Sequence, residues 1–241
     1  MKAVRIKEHG GSEVMSYEDV EQPQAGATEV LIKVEAAGIN YIDTYQRSGL
    51  YQIPLPATLG LEASGMVAQI GSDVSRFQVG DRVAYTNVLG AYADYAAVDQ
   101  DKVVSIPDAV SFDEGAAAML QGCTAHYLSQ STYPIKSGDS CLIHAAAGGV
   151  GLILIQMAKN AGAYVIGTVS TEEKAELARA AGADEVILYT QTDFETEVKR
   201  ITDGEGVNIV YDSVGKTTFE KSIDCLQRFG YMVLYGNASG P

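Results

Sequence analysis

The sequence predicts an α/β chain, with a β-rich first half followed by a doubly wound parallel sheet. Three observations carry this. Short strand-like runs broken by turn residues fill the first half, and strand and helix patterns alternate in the second. A glycine-rich turn, HAAAGGVG (His144–Gly151), stands at the first strand-to-helix junction of the alternating part.

In TEVLIKVEAAG (Thr28–Gly38), Val30, Ile32 and Val34 alternate with Lys33 and Glu35, the period of a half-buried strand. SGMVAQIGSDVSRFQVGDRVAYT (Ser64–Thr86) carries two more strands around Gly71-Ser72-Asp73 and Gly80-Asp81, and the set reads as a small barrel-like β domain. Near Ser111 the rhythm changes. Ser111 and Glu114 form a capping box that opens a helical run of small apolar residues. SCLIHAAA then reads as a buried strand, followed by a helix from Gly148 to about Lys159 that closes at Gly162. AYVIGTVS, DEVILY, VNIVYDSVG and YMVLYGN are the next four strands. The helices between them are TEEKAELARAAG, DFETEVKRITDG and TTFEKSIDCLQRFG, the last closed by Gly230.

Composition narrows the function. A length of 241 residues suits two domains, and 31 acidic against 17 basic residues give a net charge of −14. Such a surface repels phosphate backbones, so no nucleic-acid partner is expected, although a local pocket for one phosphate remains open. Cys123, Cys141 and Cys225 are odd in number and far apart, which argues against a disulfide framework or a zinc cluster and for a reducing compartment. MKAVRIKEHG lacks the apolar core of a secretory signal, and VGLILIQMA is too short to span a bilayer. A cytoplasmic protein without a membrane partner is the expectation.

The turn's place after a strand and before a helix makes it a dinucleotide loop rather than a close-packed turn without a ligand. Gly148 lets the backbone approach a pyrophosphate, Gly151 lets the helix pack on the strand, and the amides of Gly149 and Val150 face an anion. Ala146 replaces the first glycine of the pattern, which is tolerable if that residue keeps a negative φ. An NAD-preferring unit has an acid about twenty residues on. Here Ser170 stands at that point, with Lys174 one turn later, a combination that suits the 2′-phosphate of NADP. Ser170 also forms a possible capping box with Glu173, and Lys174 has the alternative reading of a solvated helix residue. His144 reads as a hydrogen-bonded core histidine, and Asp212 as an orderer of the turn after its strand.

In GINYIDTYQRSGLY (Gly38–Tyr51), GLEASGMV (Gly60–Val67), GDRVAY, HAAAGGVGL, VYDSVG and LYGNASG, the chain resembles the zinc-independent quinone oxidoreductases of the medium-chain dehydrogenase/reductase superfamily, the group that includes ζ-crystallin. The resemblance implies a GroES-like β domain over residues 1–122 and a Rossmann NADP-binding domain over 123–241. Zinc-dependent alcohol dehydrogenases of the superfamily have a cysteine where this chain has Asn40, and Gly-His-Glu where it has Gly60-Leu61-Glu62. An amide and an isobutyl group cannot ligate Zn²⁺, and no cysteine precedes Cys123 to build a structural zinc lobe, so no metal is expected. Easily reduced acceptors follow, namely quinones and activated enones.

By the same resemblance, Asn40, Tyr45 and Tyr51 line the catalytic cleft. Asn40 hydrogen-bonds the carboxamide or the acceptor, and Tyr45 or Tyr51 stacks on the ring or protonates the oxyanion. Thr124, at the start of the helix entering the Rossmann domain, lies near the nicotinamide. Ser170, Lys174 and Tyr189 form the 2′-phosphate pocket, Ser213 approaches the adenosine side, and Gly236, Asn237 and Ser239 the nicotinamide side. YMVLYGN is followed only by ASGP, whereas a complete sheet of this type has six strands. The chain therefore reads as C-terminally truncated, its last strand missing, with a homodimer expected for the full-length form. The leading reading is an NADPH-dependent quinone reductase. An NADPH-dependent enone or alkenal reductase is the near alternative. A non-catalytic NADPH-binding structural or RNA-binding protein is the distant one, and the charge and lack of a basic stripe weigh against RNA.

Overall fold

The computed structural model describes residues 1–241, which divide into two units, Met1–Leu120 and Gln121–Pro241. The first unit contains β1 (Lys2–Ile6), β2 (Ser16–Asp19), β3 (Glu29–Ala37), α1 (Tyr41–Ser48), β4 (Ala57–Thr58), β5 (Glu62–Ile70), β6 (Arg82–Thr86), β7 (Tyr95–Asp99) and β8 (Val103–Ser105). They form a three-stranded sheet, β2-β1-β4, and a five-stranded antiparallel sheet, β7-β3-β5-β6-β8. Val30 and Ile32 of β3 join Ala63, Val67, Val83, Tyr85 and Val98 in the core while Lys33 and Glu35 face water, as the period-two pattern requires.

The unit boundary falls inside α2 (Phe112–Tyr127), which continues as a wide π-helical turn over Leu128–Thr132. The expected capping box opens α2: Glu114 accepts from the Ser111 amide at 2.9 Å, and Ser111 Oγ accepts from the Glu114 amide at 3.2 Å. Thr124 lies well along this helix, not at its start.

The second unit alternates strictly: β9 (Ser140–Ile143), α3 (Gly149–Asn160), β10 (Tyr164–Val169), α4 (Glu172–Ala180), β11 (Glu185–Leu188), α5 (Phe194–Ile201), β12 (Val207–Asp212), α6 (Phe219–Asp224) and β13 (Leu226–Leu234). All pairings are parallel, in the order β11-β10-β9-β12-β13. That is the 3-2-1-4-5 order of a Rossmann sheet, which reverses direction between β9 and β12. Cys141, Ile143, Val165, Ile209 and Tyr211 pack on one face, and Leu142, Ile166, Val207 and Val210 on the other. Both faces are buried, which explains why these strands read as continuous apolar runs. No helix is long and apolar enough to cross a membrane.

One element departs from expectation. The helix expected to close at Gly230 ends at Asp224, and Leu226 already pairs with Val207. The register then jumps, so that Ile209 faces Tyr231, and the intervening residues bulge with Phe229 at φ +65°. A Cβ on Gly230 would sit 3.0 Å from the Val207 carbonyl. Gly230 therefore serves a bulge inside a strand, and sheet pairing overrides the local helical pattern.

Candidate functional site

The glycine turn is held from both sides. The His144 amide donates to the Tyr211 carbonyl at 3.0 Å, and the Ala146 amide to the Thr168 carbonyl at 3.1 Å. The left-handed residue is Ala145, at φ +50°, and Ala146 is not among the residues with positive φ. Ala146 is buried, and its methyl occupies the space that a Cβ on Gly167 would need. The alanine thus fills a slot beside Gly167 that a glycine would leave empty.

Gly148 caps α3 in an extended conformation without a side-chain cap bond. The first amides of a helix have no acceptor within it, and here Gly148 and Gly149 are exposed. A Cβ on Gly151 would stand 2.6 Å from the Ala145 carbonyl and 2.7 Å from that of Ala146, and one on Gly149 would overlap the Gln121 side chain. Open amides, a positive helix end and a backbone packed too closely for side chains suit a pyrophosphate.

At the end of β10, the N-cap of α4 is Thr171 rather than the expected Ser170, because the Thr171 hydroxyl accepts from the Lys174 amide at 3.3 Å. Ser170 is released to accept from Lys174 Nζ at 3.2 Å. The Tyr189 amide donates to the Val169 carbonyl at 3.1 Å, and Thr190 Oγ1 to the Ser170 carbonyl at 2.9 Å. This brings half-buried Ser170 together with exposed Lys174, Tyr189 and Thr190. Glu172 is paired with Arg179, which removes one of the two nearby acids from the account. Thr190 escaped the sequence reading, and its only signal was adjacency to Tyr189.

Beyond β12, Asp212 Oδ1 accepts from the amides of Val214 at 2.7 Å and Gly215 at 3.0 Å, ordering the turn as expected. Ser213 meets the chain's last loop, since a Cβ on Gly236 would lie 2.6 Å from its carbonyl and the Ala238 amide bonds it at 3.2 Å. Ser239 Oγ donates to the Val214 carbonyl at 2.8 Å and accepts from the Thr217 amide at 3.1 Å, so its hydroxyl fastens this loop.

In the first unit, Asn40 is the N-cap of α1. Asp43 Oδ2 accepts from the Asn40 amide at 2.8 Å and from the Tyr92 hydroxyl at 2.6 Å. Glu62, fully buried, accepts from Asn40 Nδ2 at 2.7 Å through one oxygen and from the Leu120 amide at 2.6 Å through the other. Burial raises the pKa of both carboxyls, and these hydrogen bonds hold it back in part. The Tyr92 hydroxyl is raised as well, by burial first and then by its bond to Asp43. Tyr45 is buried, Tyr51 is 42% exposed, and their rings meet edge-on with centroids 5.3 Å apart. The Asn40–Asp43 cap, a three-residue spacing, was not read from the sequence. Nor were the partners Glu62 and Tyr92, distant in sequence. Leu61 is buried, and no group of three or more His, Cys, Asp or Glu side chains is placed to hold a metal ion.

Two family profiles match the chain, "Alcohol dehydrogenase GroES-like domain" over residues 26–108 and "Zinc-binding dehydrogenase" over 149–241. The quinone oxidoreductase of Pseudomonas aeruginosa is 48% identical over 100% of this chain and 74% of its own length. The 2-haloacrylate reductase of a Burkholderia species is 43% identical over 99% of this chain and 74% of its own. Among solved structures, Escherichia coli quinone oxidoreductase complexed with NADPH superposes with a TM-score of 0.96 at 47% identity, covering 100% of this chain and 74% of that one. The chain belongs to the quinone oxidoreductase family of the medium-chain dehydrogenase/reductase superfamily.

Proposed function

We propose that this protein is an NADPH-dependent reductase that delivers hydride to a quinone without zinc. The observation that carries this reading is the exposed start of α3, whose N-cap Gly148 has no side chain to bond the amides that follow, combined with the Ser170–Lys174 pair at the end of β10. NADPH, when bound, supplies the hydride. The amides of Gly149 and Val150, above Gly148 and Gly151, take the pyrophosphate, and Ser170, Lys174 and Tyr189 take the 2′-phosphate. Thr124, Ser213, Gly236, Asn237 and Ser239 line the remainder of the cofactor site.

Asn40 presents a carboxamide whose plane Glu62 holds through Nδ2. Tyr51, the more exposed of the tyrosine pair, offers a ring face to a flat acceptor and a hydroxyl to the oxyanion left by reduction, while Tyr45 buttresses it. Asn40 and Leu61 supply neither thiolate nor imidazole, which supports zinc-independent chemistry. The same reading takes a homodimer for the full-length form and a cytoplasmic setting, the latter consistent with three free cysteines.

The test is NADPH oxidation with 1,4-benzoquinone, with and without a zinc chelator. Turnover unaffected by the chelator is expected, and absence of turnover, or its loss on chelation, overturns the reading. The likeness to a 2-haloacrylate reductase favours an activated alkene as the second acceptor class, and the relative kcat/KM for quinones and enals decides between the two. For the cofactor, Lys174→Ala is expected to weaken NADPH binding roughly tenfold and leave NADH unchanged, since only the former presents a 2′-phosphate. Equal losses for both cofactors would remove Lys174 from the phosphate pocket.

A further inference from the structure

We propose that His144 is a positioning residue whose single imidazole ties the glycine turn to the loops that follow β10 and β12. This rests on the NADPH reading above. His144 directly follows β9 and is 1% exposed. Its Nδ1 lies 2.9 Å from Thr168 Oγ1, two residues before Ser170. Its Nε2 lies 2.9 Å from Ser222 Oγ on α6. Ser222 Oγ donates in turn to Asp212 Oδ2 at 3.3 Å, the oxygen that also accepts from Thr218 Oγ1 at 2.7 Å. Asp212 then holds the Val214 and Gly215 amides with its other oxygen. The Phe194 ring closes the site edge-on, 4.8 Å from the imidazole.

The proton order follows from the acceptor at the end of the chain. A carboxylate oxygen only accepts, so Ser222 gives its proton to Asp212 and its own oxygen takes the Nε2–H. Nδ1 is then the bare nitrogen and accepts from the Thr168 hydroxyl. One tautomer satisfies every partner.

The imidazole bonds two elements directly, β10 through Thr168 and α6 through Ser222, and reaches β12 through Ser222 and Asp212. Here Thr168 stands two residues before Ser170 and His144 one residue before Ala145, while Ser222 on α6 links the imidazole to Asp212, one residue before Ser213. Backbone bonds join the same strands in pairs, and on α6 Ser222 meets both the imidazole and Asp212. Burial pushes the imidazole pKa down to about 4, against the opposing pull of Asp212, the charged group that faces it. The neutral tautomer, and with it the loop geometry, therefore persists at neutral pH.

NADPH dissociation constants, read from the cofactor's fluorescence, test this in His144→Leu, Thr168→Val and Ser222→Ala. Each is expected to weaken binding, His144→Leu by roughly tenfold, with kcat at saturating NADPH within about twofold of the parent. The His144→Leu/Thr168→Val double variant is expected to bind no worse than His144→Leu alone, because the pair acts as one unit. Val198→Ala, a cavity variant in the core that also holds Phe194 but outside the imidazole's hydrogen bonds, is expected to lower Tm and leave NADPH affinity unchanged. Nitrogen-15 NMR is expected to report the Nε2–H tautomer from pH 8 to pH 5. The inference is overturned if His144→Leu lowers Tm but binds NADPH like the parent, or if Val198→Ala weakens binding equally. Should His144→Leu not fold, the milder Thr168→Val and Ser222→Ala carry the same comparison. A parent protein that binds no NADPH at all takes down the cofactor reading itself, a different result from a parent that binds and variants that bind equally.

Discussion

Replacing Gly151 by alanine is expected to raise the NADPH dissociation constant about 100-fold, equivalent to about 2.7 kcal/mol. The added methyl would stand 2.6 Å from the Ala145 carbonyl and 2.7 Å from that of Ala146, both backbone atoms that no rotamer change can move aside. Ala145 already occupies the left-handed region, and the Ala146 amide is tied to Thr168, so the turn has no slack on its inner side. The only relief is to push the start of α3 away from β9, which displaces the amides of Gly149 and Val150. An interaction that depends on donor direction falls steeply with such a shift. At Gly149 the obstructing group is the Gln121 side chain, which can swing away, so Gly149→Ala is expected to cost less. Calorimetric titration with NADPH compares the two. Parent-like affinity in Gly151→Ala would show that the turn does not hold the cofactor.

The second large effect is on stability. Glu62→Ala is expected to lower the unfolding free energy by about 3 kcal/mol or more, because it strips the acceptors from Asn40 Nδ2 and the Leu120 amide inside a closed core. The charge itself shows in the pH dependence. Burial raises the Glu62 pKa above its ordinary 4.5, so the folded state holds that proton more tightly than the unfolded chain does. The stabilisation from the protonated form is complete below pH 4.5 and is lost as pH rises through the folded-state value. Glu62→Gln, which never ionises, is therefore expected to gain on the parent as pH rises from 4.5. Asp43 has the same sign but is present in both proteins and largely cancels. His144 acts in the opposite sense: its lowered pKa costs stability as pH falls from 6.5 toward 4. Urea unfolding of the parent and Glu62→Gln between pH 4.5 and 8.5 gives the comparison, and a flat difference would refute a buried titrating carboxyl at this position.

Much of the second unit was legible because its signals are local. The apolar runs of β9, β10 and β12 mark strands covered on both faces, and Asp193, which accepts from the Thr196 amide, marks the start of α5 within four residues. Local signals also misled where two residues carried the same cue. Ser170 and Thr171 are both able to cap α4, and the choice of Thr171 is accompanied by bonds to Ser170 from Lys174 Nζ and from the Thr190 hydroxyl. Near Gly230 the run TTFEKSIDCLQRFG reads as a helix closed by that glycine, but the edge of β12 offered Leu226 a ladder partner that a helix would forgo.

What the sequence determined by itself is what neighbouring residues settle among themselves: strand and helix periods, the capping box at Ser111, and a glycine turn whose Gly151 admits no side chain. Tertiary structure alone decided which distant polar groups meet. Asn40 and Glu62 are 22 residues apart, Thr190 and Ser170 are 20, and His144 and Ser222 are 78. Those meetings depend on strand order and register, which bring groups together only after the apolar faces have packed. A lone buried glutamate or histidine reads as a liability in sequence, and becomes a structural tie only when the sheet supplies its partners.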